Sequence, residues 1–370
     1  MGAHARPGRG TLTSAARGGD RGRRFDEDDV RVRPGRGTRP RSRLRPSHDS
    51  AVDGQVVTVD RGRITVRVAG PGTGAPGDGP DGDAGDAGDA AGEAGRDVVA
   101  VKARELGRKG LVVGDRVSLV GDLSGGPDAL ARVIRLQPRT SVLRRTADDT
   151  DPVERVLVAN ADQLVIVTAL ADPEPRPRMV DRCLVAAYDA GLVPLLCLTK
   201  ADLAPPTDLL GAYAPLGVPH VVTRRGEDPA ELRERLAGRV SVLVGHSGVG
   251  KSTLVNALVP GIGRVTGHVN AVTGRGRHTS SSAVALDLPG GGWVIDTPGV
   301  RSFGLAHVRP DTVLAAFPEL GAGTARCPRS CSHDEPECGL DAWVAAGHAQ
   351  ADRLTSLRRL LAARNAADDA

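Results

Sequence analysis

"VSVLVGHSGVGKSTLVNALV", Val240 to Val259, joins an apolar strand-like run to a helical run through a loop rich in glycine. That loop, Gly245, His246, Ser247, Gly248, Val249, Gly250, Lys251, Ser252 and Thr253, matches G-x-x-x-x-G-K-S/T with the correct element on each side, the context in which the pattern is a phosphate-binding loop. Glycines at 245, 248 and 250 let backbone N–H groups turn toward phosphate oxygens at a helix start, where the helix dipole favours anions. Lys251 is spaced to reach the β- and γ-phosphates, and Ser252 to hold Mg2+. Strand, loop and helix together call for an α/β sheet with its ligand at the carboxyl ends of the strands.

Two further segments extend the site. "VIDTPG" puts Asp296 at a strand end, 45 residues after Lys251, as an indirect Mg2+ partner behind the ligands or through water, and Gly299 where a backbone N–H meets the γ-phosphate. A base-reading segment of the type Asn/Thr-Lys-x-Asp is expected next, yet nothing downstream of Gly299 fits it. "LTKADL", Leu198 to Leu203, fits and lies upstream. Its Asp202 can accept two N–H bonds from guanine, a pair adenine does not offer, while Lys200 packs its stem along the base and Thr199 adjoins it. The ligand expected is therefore GTP rather than ATP, in a site whose segments are permuted. Around these motifs "QLVIVTAL", "MVDRCLVAAYDAG", "VPLLCLTKAD", "HVVTRR", "AELRERLAG" and "GGWVIDTPG" alternate strand and helix, so residues 150–305 read as a doubly wound, mainly parallel sheet.

The flanks differ in texture. Residues 1–50 carry thirteen arginines against six acids and scarcely any apolar side chains, so a disordered basic arm is expected, either a solvated tail or a grip on nucleic acid. Residues 51–140 hold five short alternating runs, with a hairpin signal at Asp60 to Arg63, and suggest an oligonucleotide-binding-like barrel. The Gly/Ala/Asp-rich stretch 71–96 reads as a flexible insertion between two of its strands. From Val52 to Pro138 there is no Phe, Tyr or Trp. Base stacking on this barrel is thus disfavoured, and contacts to RNA fall to cations such as Arg61, Arg63, Lys102, Arg108, Lys109 and Arg139.

Residues 306–370 turn helical and carry three of the five cysteines. Cys327, Cys331, His333 and Cys338 follow a C-x3-C-x-H-x4-C spacing, a closed tetrahedral set for one structural Zn2+ with no position left for water. Cys183 and Cys197 lie in apolar runs and read as core. A net charge of +4 allows a polyanionic partner, and no stretch resembles a signal peptide or membrane span, so a cytoplasmic monomer without a membrane partner is expected.

With "TKAD" ahead of the P-loop and the P-loop ahead of "DTPG", the sequence resembles the circularly permuted GTPases. "VGDRVSLV", "ANADQLVIVTA", "GHSGVGKSTLVNAL", "GRGRHTSSS", "DTPGVRSFGL" and "CPRSCSHDEPECG", in that order, make it similar to the ribosome small-subunit-dependent GTPase A family over roughly residues 54–348. The resemblance implies a GTP hydrolase stimulated by the 30S ribosomal subunit, contacting its 16S rRNA and acting in late maturation. It also implies that His278 is the catalytic histidine of the first switch, and that Thr279 closes over Mg2+, with Ser280 the competing hydroxyl. Contact to RNA is the other reading of His278, and Arg275 and Arg277 suit GTP or RNA phosphate equally. Ras-like enzymes orient water with a Gln after Asp-x-x-Gly; here the residue is Val300, so water must be positioned otherwise. Val300 also admits an alternative, an RNA-binding conformational switch whose hydrolysis is incidental.

Overall fold

A computed structural model describes residues 50–60, 62–69, 95–107, 110–146, 154–261, 283–297, 303–305 and 307–365. The basic arm, the insertion through residue 94, Arg61, Arg108, Lys109, the segment carrying Arg275, Arg277, His278, Thr279 and Ser280, and Gly299 with Val300 lie outside the described residues.

The five alternating runs form β1 (Val52–Asp60), β2 (Arg63–Val68), β3 (Arg96–Lys102), β4 (Arg116–Gly121) and β5 (Ala131–Leu136). They pair in the order β1-β2-β3-β5-β4, and β4 returns to β1, closing a barrel. β3 begins at Arg96, the last residue assigned above to the insertion. Period-two alternation fills the barrel with Val56, Ile64, Val66, Val98, Val117, Leu119 and Val133, all buried. A bulge between Val56 and Thr58 breaks that alternation in β1. Val57 is thereby turned out of the barrel and into the core of the α/β part.

A hairpin of β6 (Val142–Thr146) and β7 (Glu154–Ala159) leads into the α/β sheet. The sequence does not announce β6, because "VLRRT" is short and two of its five residues are cationic. There follow β8 (Gln163–Ala169), α1 (Pro177–Ala190), β9 (Val193–Thr199), α2 (Thr207–Tyr213), β10 (His220–Val222), α3 (Ala230–Leu236), β11 (Val240–Val244), α4 (Lys251–Leu258), β12 (Val284–Asp287) and β13 (Trp293–Asp296). The order is β10-β9-β8-β11-β13-β12, parallel except for β12. Every residue of β8 is buried, as a strand covered on both faces requires. Leu164 and Ile166 share one core with Val180 and Leu184 of α1, while Val165 and Val167 share the other with Leu232 of α3 and Leu254 of α4.

From β8 the chain winds outward to β9, and from β11 it returns to the opposite side. The crevice at the carboxyl ends of β8 and β11 is therefore the topological switch point, where such sheets bind ligands. On the far edge β12 pairs with β1 through Thr58 and Val284, so the barrel continues the same eleven-stranded sheet.

Beyond residue 307 come α5 (Pro310–Leu314), α6 (Pro318–Gly321), α7 (Gly339–Ala345) and α8 (Ala351–Asn365). α8 buries Leu354, Leu357, Leu360 and Leu361 in the core that α1 shares. Its arginines are spent internally. Arg353 bonds Glu319 at 2.5 Å and the Pro215 carbonyl at 2.9 Å, Arg359 meets buried Asp181 at 3.2 Å, and Arg364 bonds the Val308 carbonyl at 2.5 Å. Among the described residues no helix is long and apolar enough to cross a membrane.

Candidate nucleotide and metal sites

The phosphate loop leaves β11 at Gly245, whose φ is +153°. A Cβ there would lie 2.2 Å from the Val167 carbonyl oxygen of β8, so only glycine lets the loop start this close to its neighbour. Gly250, at φ +96°, caps α4, and Lys251 is the first residue of that helix. Lys251 Nζ donates to the carbonyl of His246 at 2.9 Å and to that of Gly245. The ammonium is thus held within the ring of the loop, where phosphate oxygens can exchange for carbonyls. His246 packs its Nδ1 on the Ser247 carbonyl at 2.8 Å, Val249 is buried, and Ser252 and Thr253 are exposed at the helix start.

The segment expected to read the base is bolted to this loop. Thr199, buried at the end of β9, donates from Oγ1 to the Val249 carbonyl at 2.6 Å. Lys200 takes a left-handed backbone, φ +60°, and its Nζ donates to the Asp172 carbonyl in the loop after β8. Asp202 is exposed, and its Oδ1 accepts from the Arg225 backbone N–H at 3.3 Å. Asp172, Pro173 and Arg225, which touch Lys200, Gly248 and Asp202, are neighbours of the candidate site that the sequence alone does not single out. Their only signal there is position, since "LADPEP" and "VTRR" each follow a strand of the sheet.

Asp296 ends β13 with its side chain buried, and the next residue, Thr297, ties that end to β11 by donating to the Leu243 carbonyl at 2.9 Å. The P-loop, Asp296 and the Thr199–Asp202 segment are thereby brought to one end of adjacent strands. His278, Thr279 and Gly299 lie outside the described residues.

In the C-terminal part the side-chain ligand atoms of Cys327, Cys331, His333 and Cys338 all lie within 4.8 Å of one another. Cys327 Sγ is 3.7 Å from His333 Nδ1 and 3.9 Å from Cys338 Sγ, and Cys338 Sγ is 3.9 Å from His333 Nδ1. A tetrahedron with Zn–S near 2.3 Å has edges of about 3.8 Å, so these three atoms are spaced for one ion. Ser330 and His333 both take left-handed backbones, at φ +60° and +69°. Non-glycine residues persist there only where their surroundings over-determine them, and a ligand bond to His333 would do so. Burial, then a hydrogen bond to Glu335, pushes the Cys331 thiol up to about 12. A bound divalent cation reverses that balance by taking the thiolate.

Of the cations expected to contact RNA, Arg63, Lys102 and Arg139 fall among the described residues, and Lys102 is exposed at the end of β3. Arg63 is exposed on β2. Arg139 instead closes a joint, bonding fully buried Asp115 at 2.7 and 2.9 Å and the Gly110 carbonyl at 3.0 Å. Its charge is neutralised inside the protein, because an acid 24 positions away in sequence folds beneath it.

A family model described as RsgA GTPase matches residues 136–306. A protein of Ectopseudomonas mendocina named small ribosomal subunit biogenesis GTPase RsgA is 43% identical over 262 residues, which cover 68% of this chain and 74% of that protein. Its namesake in Pseudomonas aeruginosa strain LESB58 is 42% identical over 262 residues, with coverage of 68% and 75%. Among solved structures, YjeQ from Thermotoga maritima matches with a TM-score of 0.58 at 27% identity, over 84% of this chain and 98% of that one. YloQ, described as a circularly permuted GTPase, shares the fold at a TM-score of 0.57 and 19% identity, over 86% and 96% of the two chains. With the Thr199–Asp202 segment ahead of the P-loop and this degree of identity over most of its relatives' length, the chain belongs to the RsgA GTPase family.

Proposed function

We propose that this GTPase hydrolyses GTP on the small ribosomal subunit, is stimulated by the 30S particle, and acts late in that particle's maturation. The observation that carries the reading is the convergence of Lys251, Asp296 and the Thr199–Asp202 segment at one end of the sheet, in the permuted order. The relatives' name, with its reference to small-subunit biogenesis, supports the choice of partner.

In this reading Asp202 accepts from guanine, Lys251 and the loop N–H groups hold the phosphates, and Gly299 meets the γ-phosphate. Ser252 and Thr279 offer the hard oxygen donors that suit Mg2+, and Asp296 would act on it through water. When bound, that ion neutralises phosphate charge. His278 orients the attacking water, the role Val300 has no group to perform. One Zn2+ held by Cys327, Cys331, His333 and Cys338 stabilises the C-terminal part without chemistry of its own. The barrel meets 16S rRNA through exposed cations such as Arg63, and the protein works as a cytoplasmic monomer.

Turnover measured with added 30S, 50S and 70S particles tests the reading. Selective stimulation by 30S is expected. Equal, slow turnover in all three would favour the switch with incidental hydrolysis.

A further inference from the structure

Six aromatic side chains fall among the described residues, and five are committed elsewhere. Phe303, Phe317 and Tyr213 are buried, Tyr188 is half-buried in the core around α1, and Trp293 lies under the Arg67 guanidinium at 5.5 Å. Trp343 differs. Its indole is pinned by Nε1 donating to the Glu319 carbonyl at 2.9 Å, and it packs down on Gly323, where a Cβ would lie 2.7 Å from the ring. Upon it His348 stacks at a centroid distance of 3.9 Å and an interplanar angle of 26°.

His348 is exposed, so the imidazole face turned away from Trp343 is a flat surface open to solvent and already held in place. Arg326 lies 5.6 Å from the same indole, and Arg329 is exposed in the adjoining cysteine loop. Neither arginine has an ion-pair partner among the described residues, whereas of the nearby acids only Glu337, exposed in the cysteine loop, is left without one of the contacts that hold Asp341, Asp334 and Glu335. Asp341 and Asp334 face Arg358 at 2.7 and 3.8 Å, and Glu335 accepts from the Ser332 N–H at 2.8 Å. A preassembled π-stack with the Arg326 guanidinium beside it, and Arg329 exposed three residues further along the cysteine loop, is the chemistry that captures an unpaired nucleobase and its phosphate.

We propose that the Trp343–His348 stack is a binding site for an unpaired RNA base, with Arg326 and Arg329 taking the flanking phosphates. Placed at the helix that follows the cysteine cluster, it gives the protein a base-stacking contact that the barrel, without Phe, Tyr or Trp, disfavours. The idea rests on the proposed ribosomal function for its biological setting, but its chemistry can be tested apart from it.

The test uses the full-length protein and a fluorescent single-stranded 12-nucleotide RNA of mixed sequence, with an RNA duplex of equal length as control, at two salt concentrations. His348→Ala should weaken single-strand binding about tenfold, the scale of one stacked base, and leave duplex binding unchanged. His348→Phe should restore it. The loss should be the same at both salt concentrations, because stacking releases no counterions, while Arg326→Ala should lower the salt slope. Single-strand affinity unaltered by His348→Ala would overturn the proposal. So would a loss of 30S binding without loss of single-strand binding, which would assign this face to a ribosomal protein. 30S-stimulated GTP turnover, measured in parallel on the unmutated protein, reports on the parent reading alone.

Discussion

Asp202 presents its carboxylate beside the base-reading loop with one oxygen held by the Arg225 N–H at 3.3 Å, so the group is oriented before any nucleotide arrives. Replacing it by Asn puts an amide donor where guanine also donates. GTP affinity in Asp202→Asn should fall about a hundredfold and xanthine nucleotides should be admitted, as nucleotide competition would read; unchanged GTP affinity would remove Asp202 from the base site. His278 has the opposite signature, since its expected role is kinetic. His278→Ala should bind GTP normally and lose on the order of a hundredfold in 30S-stimulated turnover, with only a slight change in the basal rate. Loss of 30S binding together with stimulation would make His278 an RNA contact instead.

At the scale of elements, α8 acts as a clamp on the cysteine loop. Arg358 donates to the His333 carbonyl at 2.7 Å and to both carboxylate oxygens of Asp341, at 3.0 and 2.7 Å. Arg358→Ala should cost about 1–2 kcal/mol in unfolding free energy, an amount discounted for the partial exposure of the pair, and speed the loss of zinc to a chelator. The hydrogen bond from Arg358 also holds the Asp341 carboxyl below its ordinary value. Its contribution is therefore complete above an unfolded pKa of about 3.9 and fades as pH falls through the depressed value. Cys331→Ser should abolish stoichiometric zinc and destabilise the C-terminal part while GTP binding persists, because a closed ligand shell contributes folding energy rather than catalysis. Full zinc content in that variant would mean that the ligand set is wrong.

For the molecule as a whole, the seam between barrel and GTPase sheet is its least expected feature. One row of backbone partners runs from Leu243 of β11 through Asp296, Val284 and Thr58 to Thr65 of β2. Arg67 stitches the same seam, joining Asp97 of the barrel at 2.6 Å to Asp287 of β12 and covering Trp293. Arg67→Ala should lower overall stability by only about 1 kcal/mol, since both acids are substantially exposed, yet raise amide hydrogen exchange selectively in β1 and β12. Uniform exchange across the barrel would show that the sheet pairing alone carries the seam. On the other flank, buried Arg182 of α1 bonds the carbonyls of Phe303 at 2.6 Å and Ala363 at 3.2 Å, so the chain beyond "DTPG" is anchored to α8.

The sequence by itself determined the phosphate loop, the permuted order of the three nucleotide motifs, the cysteine and histidine spacing, and the five strands of the barrel. Each of these depends on neighbours within a few residues, through backbone chemistry, period-two alternation or ligand spacing. Only the tertiary structure decided which cations face solvent and which are consumed. Arg139 and Arg63 look alike in sequence, but one meets a buried carboxylate 24 residues away and the other is exposed. The partners of Arg182 lie 121 and 181 residues further along the chain, and the β1–β12 pairing joins segments that no local pattern relates. Charge neutralisation and strand pairing depend on distance in space, and periodicity along a chain carries no record of it.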